Sequence, residues 1–240
     1  MNRKDGKKTV RKPTVDYRAF RLNKINDPAY SHLKLLLGWV VYFALYFITE
    51  NLIPLENCHV IRCGLDDLIP FTEAFVIPYV LWYLLVAGSL LYFLLYNIDS
   101  FKKLSIFIMI TQAVAMAVYI LYPSRQELRP ETFPRENVFT WVISIIYAFD
   151  TPSGILPSLH VGYSLGIASV WCKEKEAGLL WKLLIVALVI LVCLSTMFIK
   201  QHSAVDVFAA MPLGLLAEII LYRDYWKEKW NLSQINKRNR

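Results

Sequence analysis

The sequence predicts an all-α fold, a bundle of six membrane-spanning helices, and three observations carry that prediction. The 240 residues are 56% hydrophobic and only 19% charged, with a mean hydropathy of +0.41, too apolar for an ordinary water-soluble domain. Six apolar segments recur along the chain, and at roughly 20 residues per span they take up about half of it. The basic residues gather at the two ends, each end against an apolar run. This pattern excludes a soluble enzyme with a large ectodomain. With only nine glycines and no low-complexity tract, the chain is not disordered or fibrous either.

In chain order, residues 1–28 form a basic arm, with nine Lys or Arg against Asp5, Asp16 and Asp27. The bundle is expected over residues 29–222, with spans near 33–53, 71–96, 104–122, 158–172, 179–199 and 203–222. The first follows a long charged arm without a small-residue cleavage site, so it reads as a retained helix and not a signal peptide. The fourth is the shortest, and its Gly162 and Gly166 allow close helix approach. Between spans three and four, Val138 to Phe149 is too short to cross a bilayer. Bounded by Pro134 and Pro152, it reads as an interfacial or re-entrant helix in an outer loop. Residues 223–240 form a basic tail.

The arm carries a net +6 and the tail +4, leaving −3 for the middle. Charge arranged this way suits anionic headgroups at a membrane face better than nucleic acid, which is not expected as a partner. The arm, Lys102 and Lys103, the stretch from Lys173 to Lys182 and the tail all fall on one side, which the positive-inside rule makes cytoplasmic. Both termini are then inside and the segment from Pro123 to Pro157 outside. The compactness of the chain suggests a bacterial inner membrane, and nothing in it fixes an oligomeric state. Cys172 and Cys193 read as small packing residues, whereas Cys58 and Cys63 share a polar loop where a disulfide or two free thiols fit equally.

Polar residues at the ends of spans are costly unless they serve a purpose, and three clusters stand out on the outer side. The first runs from Tyr122 to Pro130 and includes Arg125 and Arg129, whose guanidinium suits phosphate. The second runs from Thr151 to His160. There Pro157-Ser158 fits a helix start, with Ser158 as cap and His160 in the first turn. The third is Lys200-Gln201-His202-Ser203-Ala204-Val205-Asp206, where His202 and Asp206 lie one helical turn apart, so that the carboxylate can orient the imidazole. Each cluster alone is compatible with an ordinary helix end. Together they place two histidines, an acid and an arginine on one side of one membrane protein, a set that phosphoryl transfer can use.

In these residues the chain resembles the type 2 phosphatidic acid phosphatase superfamily of six-span lipid phosphatases, and within it the branch of inositol-phosphorylceramide and sphingomyelin synthases. Arg129-Pro130 matches the end of the family's first motif, Pro157-Ser158-Leu159-His160 its second, and Ser195, His202 and Asp206 its third, over roughly residues 70–222. Tyr122 stands where the first motif has Lys, and Thr196 where the third has Arg. Arg125, near Tyr122, and Lys200, four residues after Thr196 and so expected on the same helical face, are candidates to replace the missing charges.

The resemblance implies an integral-membrane lipid phosphate phosphatase with its site at the extracytoplasmic face. His202 would attack phosphorus, Asp206 would hold its ring, and His160 would act as acid and then base. Arg129, Ser158, Lys200, Arg125 and Ser195 would surround the phosphate. The substrate would be a lipid phosphate or phospholipid, and neither cofactor nor metal is expected. Two other readings keep the fold: a lipid headgroup phosphotransferase of the inositol-phosphorylceramide synthase type, and a noncatalytic lipid-binding or transport protein.

Overall fold

The computed structural model describes the backbone of residues 12–238 and the side chains of all of these except 50–52 and 231–238. The first eleven residues of the expected basic arm and the last two of the tail lie outside the described residues. The fold is all-α: α1 (Leu37–Leu52), α2 (Gly64–Leu68), α3 (Val76–Tyr96), α4 (Ile98–Leu121), α5 (Val138–Phe149), α6 (Leu159–Lys173), α7 (Leu179–Phe198) and α8 (Ala204–Arg238). Extended structure among the described residues is confined to the two-residue strands β1 (His59–Val60) and β2 (Ser124–Arg125), paired in parallel, and a single bridge from Arg125 to Ser153.

Among the described residues five helical segments are long and apolar enough to cross a membrane: Ser31–Thr49, Glu73–Tyr96, Ile98–Leu121, Leu179–Phe198 and Ala204–Trp230. The expected fourth span is α6, whose 15 residues reach about 22 Å, short of a hydrocarbon core of roughly 30 Å. It is nonetheless the central helix, packed against α4, α7 and α8. Phe93, Phe101, Leu104, Ile108, Ile167, Val170 and Val192 form the core around it. The outward faces are apolar too. On α1, Val40, Val41, Phe43 and Phe47 are exposed, as expected of a helix solvated by lipid.

Several boundaries differ from the sequence reading. The third span begins at Ile98, not near 104, because Asn97 is at once the C-terminal cap of α3 and the N-terminal cap of α4. Its Oδ1 accepts from the Ser100 amide and its Nδ2 donates to Glu174 at 2.7 Å. Asp99, Lys102 and Lys103 in the first two turns hid that helix from hydropathy. The described part of the arm is ordered on the bundle: the Thr14 amide donates to Leu95 O at 2.7 Å and the Tyr17 hydroxyl to Leu94 O at 2.8 Å. The tail continues α8 as helix to Arg238, with a break at Tyr222. Cys58 and Cys63 are separate thiols, and Cys172, expected to pack as a small apolar residue, is exposed.

The short helix α5 matches its expected bounds. Asn137 caps it by accepting from the Phe139 and Thr140 amides, while the Thr140 hydroxyl accepts from the Asn137 amide. Ile143 anchors it in a second cluster with Val76, Tyr79 and Ile199.

Close approach in the core is set by glycine. A Cβ on Gly166 would lie 2.6 Å from Phe107 Cδ1, whereas one on Gly88 would meet nothing within 4 Å. Gly166→Val should therefore destabilise the detergent-solubilised protein by about 1–3 kcal/mol and lower its thermal unfolding midpoint, with Gly88→Ala near neutral. Equal midpoints for the two variants would contradict this packing.

Candidate active site

The start of α8 builds the first half of the site. Ser203 precedes the helix and its Oγ accepts from the Val205 amide, while Asp206 Oδ2 accepts from the Ser203 amide at 2.9 Å, the reciprocal arrangement of a capping box. The same Oδ2 lies 3.3 Å from His202 Nδ1. With the ring proton on Nδ1, His202 donates to Asp206 and keeps Nε2 as its basic nitrogen. Asp206 is fully buried and His202 nearly so.

What presents His202 is the end of α7. The Lys200 amide donates to Met197 O and the Gln201 amide to Thr196 O, which also accepts from the His202 amide at 3.0 Å. This is the paired bonding of a Schellman motif, with Lys200 at φ +56° in the left-handed position that glycine usually fills. The helix therefore stops at Phe198, and Lys200 does not share the Thr196 face as its spacing suggested. Its Nζ turns outward to the carbonyls of Asp66, at 2.8 Å, and Ile69, and burial lowers its pKa below the ordinary lysine value.

The second half comes from α6. Ser158 is the cap, accepting from the Val161 amide, and its own amide donates to Asp206 O at 3.1 Å, so the two helix starts are bonded to each other. His160 packs between Trp82, with ring centroids 4.2 Å apart, and Tyr79 at 4.7 Å. Its centroid is 5.6 Å from that of His202. His160 Nε2 is buried without a hydrogen-bond partner.

Both histidines line a cavity of about 660 Å³, a size that suits a small-molecule or lipid ligand. Trp39, Tyr42 and Tyr46 of α1 form one wall, Trp82, Tyr83 and Leu90 of α3 another, and Phe149 of α5 a third. The α3 lining from Trp82 to Leu90 extends about 12 Å along the helix, away from a polar end made by Asp150, His160, Gln201 and His202.

Of the residues predicted for the site, only His160 and His202 reach the cavity wall. Asp206 lies behind His202 and Ser158 beneath His160. Arg129 lies behind Gln201: it donates to Gln201 Oε1 at 2.6 Å, to Asp150 O at 2.7 Å and to Tyr147 O at 3.2 Å, with its guanidinium over the Tyr147 ring. Lys200, Arg125 and Ser195 are not at the cavity. Arg125 pairs with Glu127, and Ser195 is buried with its hydroxyl bonded to Val192 O. Tyr122 stacks on His59 at 4.4 Å, and the Thr196 hydroxyl donates to Cys193 O, so neither supplies what the motif lysine and arginine would.

Three residues were missed. Gln201 Nε2 donates to Asp150 Oδ2 at 2.8 Å, and Tyr79 reaches the same oxygen. Gln201 lies within the third polar cluster and Asp150 directly before the second, so both stand out as polar groups at span ends, a signal that was available. Tyr79 sits in a continuous apolar run and gave none. Among the described residues no three His, Cys, Asp or Glu side chains converge as a metal site.

The bonding of Arg129 makes it a tie between the α5 end and Gln201. Arg129→Ala should cost about 2–3 kcal/mol by unpairing these buried acceptors, read as a lower unfolding midpoint in the absence of any lipid. An unchanged midpoint would show that the guanidinium is not part of the framework. No family model, curated protein or solved structure matches the chain.

Proposed function

We propose that this chain is an integral-membrane lipid phosphatase that works through a phosphohistidine on His202, as its resemblance to the type 2 phosphatidic acid phosphatases implies. The observation that carries the proposal is the placement of two histidines, one oriented by a buried carboxylate, at the polar end of an aromatic cavity that continues along α1 and α3. A headgroup phosphorus at that end leaves the apolar walls to the lipid chain.

In the first step His202 Nε2 attacks phosphorus, the bond to the lipid oxygen breaks, and His160 gives that oxygen a proton. In the second, a water oxygen attacks phosphorus, its proton passes to His160, and the P–N bond breaks, restoring both histidines. Asp206 stabilises the His202 imidazolium that develops.

A second reading, transfer of a phosphodiester headgroup to an alcohol, is favoured by one feature. Among the described residues no Lys or Arg lines the cavity, whereas Asp150 does. A phosphomonoester dianion gains little there, while a singly charged phosphodiester loses less. The two readings differ only in acceptor and donor charge.

Purified protein in detergent, offered labelled phosphatidate, phosphatidylglycerophosphate and zwitterionic phospholipids with and without diacylglycerol or inositol, separates them. Release of phosphate supports the phosphatase, and a new phospholipid the transferase. Stoichiometric binding without turnover supports a noncatalytic lipid carrier. His202→Ala should reduce turnover by roughly a thousandfold or more, His160→Ala by about 10²–10⁴-fold, and Asp206→Asn on the order of 10²-fold or more. Undiminished turnover in His202→Ala would remove the nucleophile assignment.

We propose that the cavity opens at the extracytoplasmic face, with both termini inside, because the basic residues of the arm, of the start of α4, of the stretch from Lys173 to Lys182 and of the tail fall on the opposite side. In a chain without native cysteines, Glu136→Cys should react with a membrane-impermeant thiol reagent on intact cells and Lys175→Cys should not, both positions being exposed. The opposite labelling inverts the topology.

A further inference from the structure

The segment between α1 and α3 carries none of the family motifs, yet it is bonded to the chain on both sides of His202. Asp66, in the five-residue helix α2, is 3% exposed although it belongs to an outer loop. Its Oδ1 accepts from the Ala204 amide at 2.7 Å, and its Oδ2 accepts from Ser203 Oγ at 2.6 Å and from the Cys63 amide at 2.8 Å. Ser203 and Ala204 form the start of α8 and are reached from 137 and 138 residues away in sequence. On the other side of His202, Lys200 Nζ donates to Asp66 O and Ile69 O. One turn further back the Thr72 amide donates to Phe198 O at 3.0 Å. The 63–72 segment thus grips residues 198, 200, 203 and 204 and leaves His202 between the grips.

This grip has a mechanical purpose. Lys200 holds a left-handed backbone that a side chain with a Cβ disfavours, and His202 follows two residues later. The carbonyls of Asp66 and Ile69 hold that lysine where it is. Asp66 also competes with no ligand, because it does not line the cavity. It acts on Ser203, whose amide is bonded to the Asp206 oxygen that orients His202. Burial alone would raise the Asp66 pKa, but the bonds from Ser203, Ala204 and Cys63 outweigh it and hold the carboxyl below its ordinary range, so the group is an anion at neutral pH, facing the positive end of α8.

We propose that Asp66 is a positioning residue for His202, acting through Ser203 and the first turn of α8 to set the imidazole for in-line attack; this rests on the phosphohistidine reading above. A misplacement of about 1 Å at a reacting group costs on the order of 10²-fold in rate, so loss of the grip should be visible in turnover while the cavity still takes its lipid.

The test uses the full chain in detergent with Asp66→Ala, Asp66→Asn, Ser203→Ala and the Asp66→Ala/Ser203→Ala double variant. Arg62→Ala serves as control, since Arg62 pairs with exposed Asp67 of the same helix. Amide hydrogen exchange is followed over 198–206 and over α6. Turnover of whichever phosphatidate or phosphatidylcholine the wild type accepts is expressed per lipid-binding site, so that unfolded protein does not count. Asp66→Ala should lower kcat roughly 10–100-fold with KM within about twofold, and should speed exchange at 198–206 but not in α6. Asp66→Asn, which keeps one acceptor, should fall between Asp66→Ala and the wild type, and serves if the alanine variant does not fold. The double variant should be little worse than Asp66→Ala, because both break one chain of contacts. Unchanged exchange at 198–206, an unchanged kcat, or multiplicative losses in the double variant would each overturn the inference. A wild type that turns over no lipid defeats the underlying reading instead, and the wild-type control alone reveals it.

Discussion

Three connections meet in Asp206. Its Oδ2 holds the Ser203 amide and the His202 ring, and its carbonyl receives the Ser158 amide. The first starts a helix, the second aims an imidazole, and the third bonds the start of α8 to the start of α6. A serine or asparagine at this position could cap its own helix, but neither would supply the negative charge that favours a proton on His202 Nδ1. Because the residue is fully buried, these bonds are made where water cannot substitute for them, and breaking any of them leaves polar groups stranded.

The same constraint governs the loops around it. Irregular backbone within a membrane protein persists only where its amides and carbonyls find protein partners, and here the loops are one another's partners. The Gly154 amide donates to Ser124 O, the Gln126 amide to Pro152 O, and Tyr119 OH to Pro157 O. The three polar clusters, far apart in sequence, are thereby drawn to one end of the bundle. Arg129 serves this assembly as a cross-brace. The result is a cavity whose polar end is formed by Asp150, His160, Gln201 and His202, with no Lys or Arg in its lining among the described residues.

Much of the architecture was legible because bilayer physics simplifies the code. The apolar runs of α3 and α7 and the capped α5 emerge near their predicted bounds, since length and hydropathy decide them almost alone. Boundaries blurred where charged residues lie within a helix, as at Asp99 to Lys103, or where a residue departs from its usual backbone role. Lys200 is the clearest case. Nothing in a lysine announces a left-handed turn, so helical spacing placed it on the wrong face.

Residue spacing alone was enough to pair His202 with Asp206 and to cap α6 with Ser158, because both relations are local, spanning one turn of helix. Which side chains share the cavity was decided by contacts between distant segments. Asp150 meets Gln201 across 51 residues, and Asp66 meets Ser203 across 137. No periodicity encodes such pairs. They follow from the packing of α3, α4, α7 and α8 around the short central helix α6, which leaves a few loop positions at one end within hydrogen-bond reach of each other.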